Sequence, residues 1–281
     1  MPGARSPLGV FDSGLGGLTV VRELFHALPN ERIVYLGDTA RVPYGTRSPE
    51  TVLRYARGCA AVLLRHDVKA LVIACNTASA VAVEMLRAEL DLPVIGVIEP
   101  GARAAVGAGE AGRAARREAP RIGVLGTAGT IASGAYPRAV AQLSTRWEVV
   151  GQAAPLLVPL VEEGWLDGEV ARLVVQSYLR PLIDASVSVV LLGCTHYPLL
   201  RPLIAAQAEE LAGVALPVVD SAQATAALVS ELLREGRVSA ADAPPEAPRL
   251  TILVTDRPSS FHGVAARFLG DSLPEPVQID L

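Results

Sequence analysis

The stretches Lys69–Thr77 (KALVIACNT) and Ser188–His196 (SVVLLGCTH) share one pattern, and this pattern decides the fold. Each is a short apolar run, rich in β-branched residues, that ends in a small residue and a cysteine, Cys75 or Cys194. Such a run predicts a buried strand with a thiol at its C-terminal end and a helix starting just beyond it. Two thiols on equivalent strand ends predict a site with one acid/base group on each face of a small ligand.

A second pair of stretches widens this repeat. Leu8–Gly14 (LGVFDSG) resembles Ile122–Ala128 (IGVLGTA). These stretches begin 114 residues apart and the two cysteines lie 119 residues apart, so both pairs fit nearly one offset. A repeat of this length indicates two related domains rather than a solenoid.

Strand and helix patterns alternate along the chain, which predicts an α/β fold. We expect two pseudo-symmetric, doubly wound domains with mostly parallel sheets and a site in the cleft between them. The first domain is expected to comprise residues 1–97 and 213–281, and the second residues 98–212. The predicted strands are Leu8–Phe11, Arg32–Leu36, Ala70–Ala74, Val94–Gly96, Arg121–Leu125, Trp147–Gly151, Val187–Leu192, Pro217–Val219 and Leu250–Val254.

Several helix features follow from local sequence. A helix is predicted to begin after Ser48 as N-cap, with Pro49 at its first position and Glu50 in its first turn. Pro198 predicts a first helical turn after Cys194 in the same way. The stretch Ala102–Arg117 predicts a solvated helix that runs into a loop.

The composition is typical of a globular protein and gives no sign of binding to nucleic acid or membranes. Its 281 residues are 51% apolar and 19% charged, which favours a well-buried core. The net charge of −4 and the lack of a basic block argue against nucleic-acid or anionic-membrane binding. Neither a membrane-spanning apolar run nor a signal peptide is evident, so we expect a cytoplasmic protein.

The three cysteines lack CxxC or CxxH spacing, which disfavours a disulfide framework or a zinc site, and no metal is expected. Cys59 lies in a helical pattern and is interpreted as a small core residue. Cys75 and Cys194 are either buried structural residues or reactive thiols. Their position before a helix N-terminus favours reactive thiols, because the partial positive charge there lowers a thiol's pKa below its ordinary value of ~8.5.

Asp12 follows the strand Leu8–Phe11 and leads into the glycines of Gly14–Gly17. These glycines do not form a dinucleotide-binding fingerprint, because position 19 is Thr19 where a third glycine is required. Asp12 either caps the next helix or belongs to a site. We favour the site, because Cys75 is expected at the same sheet edge, where a carboxylate positions a substrate ammonium and hydrogen-bonds the thiol.

Other polar residues are candidates by position. His196, two residues beyond Cys194, is a candidate acid/base partner, whereas His26, His66 and His262 fall in or after helical patterns. The loop Gly37–Ser48 offers the backbone N–H groups of Tyr44 and Gly45 to an anion. Thr127 and Thr130 at the matching strand end of the second half suit a carboxylate. Glu99, Glu162 and Glu163 are either supporting groups behind the site or surface charges.

Eight motifs occur in order along the chain: FDSGLGGLTV (Phe11–Val20), GDTARVPYG (Gly37–Gly45), ACNTASA (Ala74–Ala80), GVIEPG (Gly96–Gly101), GTAGT (Gly126–Thr130), VPLVEEG (Val158–Gly164), GCTHYPLL (Gly193–Leu200) and VDS (Val219–Ser221). Together they resemble the glutamate racemase family, over about Leu8 to Leu269. Aspartate racemases share the two-cysteine arrangement but more often carry Glu where His196 stands, and they lack the FDSGLGG opening.

The resemblance implies a cofactor-independent, homodimeric enzyme that interconverts L- and D-glutamate for peptidoglycan synthesis. It implies that Cys75 is the base toward D-glutamate with Asp12 as its partner, and that Cys194 is the base toward L-glutamate with His196 as its partner. The short N-terminal extension argues against activation by a precursor nucleotide. The implied substrate-binding residues are Asp12, Ser13, Pro43, Tyr44, Gly45, Asn76, Thr77, Thr127, Thr130, Thr195 and His196; of these, Ser13, Tyr44 and Gly45 are implied to bind the side-chain carboxylate.

Two other functions remain open from the residues. A relative with the same fold uses one cysteine for decarboxylation or isomerisation, although two intact cysteines argue against this. A two-lobed binding protein for a small acidic ligand needs no reactive thiol and catalyses no exchange of hydrogen with solvent.

Overall fold

The computed structural model describes residues 3–112, 119–246, 248–257, 261–270 and 273–281. Strands and helices alternate through these residues. The strands are β1 Leu8–Asp12, β2 Ile33–Gly37, β3 Ala70–Ile73, β4 Val94–Gly96, β5 Arg121–Gly126, β6 Glu148–Ala153, β7 Val189–Gly193, β8 Val218–Asp220, β9 Leu250–Val254 and β10 Val277–Gln278. The helices are α1 Leu18–Ala27, α2 Pro49–Leu64, α3 Asn76–Glu89, α4 Ile98–Ala111, α5 Ala128–Ala132, α6 Ala135–Leu143, α7 Leu157–Glu162, α8 Gly168–Asp184, α9 Arg201–Ala212, α10 Ser221–Arg234 and α11 Phe261–Leu269.

The strands form two parallel sheets whose orders correspond. The first sheet has the order β10-β9-β2-β1-β3-β4, and the second has the order β6-β5-β7-β8. The run β2-β1-β3-β4 therefore matches β6-β5-β7-β8 strand for strand. Cys75 follows β3 and Cys194 follows β7, so the two cysteines occupy the same place in the two halves. The predicted α/β fold with two related parallel sheets is confirmed.

The predicted strands lie within two residues of the observed ones, and β10 was not predicted. It has only two residues, both exposed, so it lacks the apolar run that signals a strand. The strand predicted at Pro217–Val219 is β8, which pairs with β7 in the second sheet through Val190 and Val218. The chain returns to the first sheet only at β9, so a division at residue 213 places β8 apart from its own sheet. The domain boundaries themselves stay a prediction.

The helix starts follow the local sequence. Ser48 Oγ accepts the Thr51 N–H at 3.4 Å, Pro49 opens α2 and Glu50 lies in its first turn, as predicted. Pro198 lies in the first turn of the short 3₁₀ helix Tyr197–Leu200. Cys59 is fully buried in α2 and is a core residue.

Three further expectations concern helical segments. His26 and His66 are exposed and His262 lies on α11, as expected. The predicted helix Ala102–Arg117 corresponds to α4, which buries Ala102 on one face. Residues 113–118 of that stretch lie outside the described residues.

The core lies on both faces of each sheet, because parallel strands are covered by helices on both sides. Every residue of β1, β3 and β7 is buried, which fixes where these strands end. Ligand sites in open parallel sheets form beyond the carboxyl ends of such strands. Among the described residues, no helix has the length and apolar character needed to cross a bilayer.

A buried ion pair anchors the opposite end of β3. Lys69 Nζ lies 2.6 Å from Glu31 Oε2, and both side chains are almost completely buried. Lys69 Nζ also donates to the Ala4 carbonyl at 2.7 Å, and Glu31 Oε1 accepts the Ala241 N–H at 2.9 Å. This cluster joins three loops to the first residues of β3.

We expect Lys69→Met to destabilise the fold by ~3–5 kcal/mol, because it leaves the Glu31 carboxylate buried without its cation. The free energy of unfolding in urea measures this loss. Arg57→Met is the control: it breaks the far more exposed pair with Glu89 and is expected to cost ~0–1 kcal/mol. Equal losses in the two variants would contradict the assignment of Lys69 as a buried anchor.

Candidate active site

Cys75 caps the N-terminus of α3 with its thiol. Its Sγ accepts the Ala78 N–H at 3.4 Å and donates to Ser13 Oγ at 3.6 Å. The position at a helix N-terminus is the predicted one, but the predicted lowering of the thiol's pKa is wrong. Burial raises the pKa of Cys75 to about 12, the nearby charge of Asp12 adds to the effect, and the bonds from Ala78 and to Ser13 do not offset them. Cys75 is therefore a neutral thiol at neutral pH.

Asp12, the last residue of β1, is completely buried beside this thiol. Its Oδ2 accepts the Gly14 N–H at 3.0 Å, while Oδ1 has no hydrogen-bond partner in the part of the chain that the structure describes. Burial raises the pKa of Asp12, and the charge of His196 and the surrounding backbone N–H groups oppose that shift. The carboxylate does not cap α1, and the Cys75 thiol bonds Ser13 instead of Asp12. One buried acceptor at the strand ends is thus left for a ligand.

Cys194 lies at the end of β7 with a histidine and a carboxylate behind it. Its Sγ is 4.0 Å from His196 Nδ1, and His196 Nε2 is 3.1 Å from Glu162 Oε1. The edge of the Phe268 ring packs against the imidazole, with ring centroids 5.1 Å apart. Glu162 and Glu163, two of the three glutamates that the sequence left open, are both exposed, but Glu162 contacts His196 and so supports the site.

His196 carries a positive charge in this setting. Burial lowers the pKa of His196, but its bonds to Cys194 and Glu162, together with their negative charges, raise it from 6.5 to about 10. A cation therefore stands beside Cys194 at neutral pH, where it stabilises negative charge on that sulfur. The two thiols differ in kind: Cys75 faces a carboxylate, and Cys194 faces an imidazolium.

Three threonine hydroxyls meet where the two halves approach each other. Thr77 Oγ1 lies 2.9 Å from Thr127 Oγ1 and 3.2 Å from Thr130 Oγ1, and Thr127 donates to Thr130 at 3.0 Å. Thr127 also caps α5 by accepting the Thr130 N–H. Gly45 packs on Thr127 so tightly that a Cβ there would lie 2.8 Å from the threonine Cβ. The structure therefore brings these four predicted residues together.

The Tyr44 side chain points into the first half. Its buried hydroxyl donates to Asp38 and lies 3.9 Å from Cys59 Sγ. The fully buried Asp38 also accepts Arg41 Nε at 2.7 Å and Thr255 Oγ1 at 2.9 Å. The Tyr44 hydroxyl is thus engaged within the first half, and the Tyr44 carbonyl accepts the Arg47 N–H at 3.0 Å. The sequence analysis did not select Asp38, although it directly follows β2 as Asp12 ends β1.

Two remaining predicted site residues, Thr195 and Pro43, lie at the carboxyl ends of the strands, whereas Glu99 lies elsewhere. Thr195 Oγ1 is 3.4 Å from His196 Nδ1, and the Thr195 carbonyl accepts Thr19 Oγ1 at 3.0 Å. Pro43 is exposed in the loop before Tyr44. Glu99 is the exception: it pairs with Arg87 at 2.8 Å beside a separate cavity of about 750 Å³.

Asn76, at the start of α3, accepts a hydrogen bond from Tyr136, a residue that the sequence analysis did not select. All three cysteines are free thiols. Within the described ranges, no group of three or more His, Cys, Asp or Glu side chains is arranged to hold a metal ion.

A family model described as Asp/Glu/Hydantoin racemase matches residues 9–229. The chain belongs to this family. As an Asp/Glu/hydantoin racemase, it is an isomerase with the fold expected from the resemblance. A glutamate racemase from Geobacter metallireducens is 48% identical over 274 residues, which cover 98% of this chain and 96% of the relative.

Solved structures agree with this Asp/Glu/hydantoin racemase over nearly their whole length. A glutamate racemase from Bacillus anthracis superposes with a TM-score of 0.88 at 38% identity, covering 99% of this chain and 98% of that one. A glutamate racemase from Francisella tularensis in complex with D-glutamate has a TM-score of 0.86 at 33% identity, with the same coverage. The predicted fold class and the family resemblance are confirmed.

We expect Gly16→Ala to lower the rate of the racemase strongly while the fold persists. A Cβ on Gly16 would clash with Thr195 Oγ1 and lie 2.5 Å from His196 Nδ1, so it would push the imidazole away from Cys194. Steady-state kinetics measure the effect. Gly107→Ala is the matched control, because a Cβ at Gly107 meets nothing within 4 Å. Equal activity of the two variants would show that the packing of Gly16 does not set the position of His196.

We expect Glu162→Gln to lower the pKa of His196 below about 10, because the substitution removes one of its negative partners. An NMR titration of the imidazole measures this directly, and Glu163→Gln is the control. Since the folded-state pKa is raised, the charge on His196 stabilises the fold fully below pH 6.5, and this contribution is lost as the pH rises through about 10. An unchanged titration midpoint in Glu162→Gln would contradict the role of Glu162.

Proposed function

We propose that the chain interconverts L- and D-glutamate by a two-base mechanism with Cys75 and Cys194, in which one sulfur removes the α-proton and the other thiol donates its own proton to the opposite face. The observation that carries the proposal is the equivalent placement of the two thiols after β3 and β7, each with its own polar partner. The charge of Cys194 contributes to the raised pKa of Cys75, which supports a short separation of the two sulfurs. Glutamate racemases at 42–48% identity support glutamate as the substrate.

The two thiols exchange roles in the two directions. With L-glutamate, the Cys194 sulfur takes the α-proton from one face, and the Cys75 thiol gives its proton to the opposite face. With D-glutamate the transfers reverse. The raised pKa of Cys75 keeps the proton on this thiol, and the His196 imidazolium balances a thiolate on Cys194. These surroundings suit proton donation by Cys75 and proton acceptance by Cys194, which is the direction that starts from L-glutamate.

General acid–base transfer supplies only ~10²–10⁴-fold acceleration, so the carbanionic transition state needs further stabilisation. Preorganised donors around the α-carboxylate provide it, and a closed, dry cleft strengthens them. We assign Asn76 and Thr195 together with the hydroxyl cluster of Thr77, Thr127 and Thr130 to the α-substituents. The unpartnered Oδ1 of Asp12 suits the substrate ammonium, because a buried acceptor without a partner is costly until it is bonded.

The side-chain carboxylate of glutamate is assigned to the loop after β2. Ser13 and the backbone of Pro43, Tyr44 and Gly45 form this part of the proposed site. The Tyr44 hydroxyl is bonded to Asp38 and proline has no backbone N–H, so the assignment rests on the backbone N–H groups of Tyr44 and Gly45. The complex of the Francisella tularensis relative with D-glutamate supports a small amino acid as the ligand.

The wider role follows the resemblance to glutamate racemases. We propose a cytoplasmic homodimer that needs no cofactor and supplies D-glutamate for peptidoglycan. Oligomeric state in solution and growth of a D-glutamate auxotroph expressing the chain test these two statements separately.

The activity is tested by incubating the cofactor-free protein with L-glutamate in D₂O. We expect loss of the α-proton NMR signal and the appearance of D-glutamate in a chiral assay. If glutamate binds but its α-proton does not exchange and no D-glutamate forms, the chain is a binding protein. Inert glutamate with turnover of aspartate or a substituted malonate would favour the related racemase or the one-cysteine enzyme.

We expect Cys75→Ala and Cys194→Ala each to lose at least the ~10²–10⁴-fold acceleration of acid–base catalysis while remaining folded. Chiral chromatography of glutamate measures the rate, and circular dichroism checks the fold. Cys59→Ala is the control. Cys59 is a buried core residue on α2, so we expect its substitution to leave turnover unchanged. Substantial activity in either active-site variant would contradict the two-cysteine scheme.

A further inference from the structure

Tyr136 bonds the residue that follows Cys75. It lies on α6 in the second half and is only 2% exposed. Its hydroxyl donates to Asn76 Oδ1 at 2.7 Å, and Asn76 is the first residue of α3 in the first half. The hydrogen bond therefore crosses from one half of the molecule to the other.

The ring of the same tyrosine packs on the residue that precedes Cys194. A Cβ on Gly193 would lie 2.9 Å from Tyr136 Cε2, closer than carbon atoms approach in proteins. Gly193 thus has to be glycine for the ring to rest against the backbone of the strand end. One side chain contacts the neighbours of both cysteines.

A second contact strengthens the link between Asn76 and β7. Asn76 Nδ2 lies 3.5 Å from Ser221 Oγ, which donates to the Leu192 carbonyl at 3.4 Å. Leu192 is two residues before Cys194. Burial raises the pKa of Tyr136, so its hydroxyl keeps its proton and remains a donor. The network is buried and polar, and loss of one member leaves its partner unsatisfied.

We propose that Tyr136 is a positioning residue that fixes the spacing of the two cysteine-bearing strand ends by bonding Asn76 while packing on Gly193. The inference rests on the proposed two-cysteine racemase. Proton transfer on both faces needs both sulfurs within reach of one carbon, and a misplacement of ~1 Å costs ~10²-fold in rate. A link between the strand ends therefore acts on kcat more than on KM.

The test compares Tyr136→Phe, which keeps the ring and removes only the hydroxyl, with wild type. We expect kcat to fall about fivefold to tenfold with either enantiomer, as for the loss of one neutral hydrogen bond, and KM to stay within about twofold. Tyr178→Phe is the control, because its hydroxyl accepts the Leu156 N–H at 3.3 Å, a contact that stays within the second half. It is expected to keep the wild-type kcat.

A double-mutant cycle with Asn76→Ala separates positioning from general destabilisation. If Tyr136 acts through Asn76, Tyr136→Phe lowers kcat no further in the Asn76→Ala background. A wild-type kcat in Tyr136→Phe, a loss confined to KM, or an equal fall in kcat in both backgrounds would each overturn the inference. Absence of turnover in the wild type would refute both the proposed function and this inference. If the wild type is active, a negative result for the variant refutes only the role of Tyr136.

Discussion

The site depends on one geometric constraint: two parallel sheets of the same strand order present the carboxyl ends of β3 and β7 to a common space. The buried strands fix the backbone at these ends, so the side chains there are already positioned to contact a ligand. Cys75 and Cys194 each end such a strand, and each is followed by a helix or a 3₁₀ turn that orients its neighbours. A duplicated fold thus places two thiols at equivalent strand ends without any special loop.

The duplication places equivalent atoms, but the surroundings make them unequal. Burial and the carboxylate of Asp12 hold the proton on Cys75, while the His196–Glu162 pair sets a positive charge beside Cys194. The proposed two-cysteine mechanism requires such a difference, since in it one sulfur accepts a proton while the other donates one. The asymmetry arises where the two halves differ: Asp12 ends β1, whereas Gly126 ends the equivalent strand β5, and Glu162 comes from α7 of the second half.

The strands and both thiols were predictable, because buried parallel strands leave continuous apolar runs with polar residues at their ends. Asp12, His196 and the threonines were predictable for the same reason, since they directly follow those runs. The missed features depend on partners distant in the chain. Asp38 bonds Thr255, Tyr136 bonds Asn76, and the raised pKa of Cys75 comes from burial by the whole fold rather than from its local helix. The edge strand β10 is too short to leave a pattern.

In the proposed mechanism, one thiol removes the α-proton and a second thiol donates a different one, which leaves an isotopic record that a single base does not produce. In D₂O, the Cys75 thiol exchanges with solvent and delivers deuterium to the new face of the substrate. Mass analysis of the separated enantiomers, during the first few per cent of turnover from L-glutamate, reads this record. The account predicts D-glutamate that carries deuterium at Cα from its first appearance, while the remaining L-glutamate keeps its protium. D-glutamate that retains protium, or L-glutamate that gains deuterium as fast as D-glutamate forms, would contradict it.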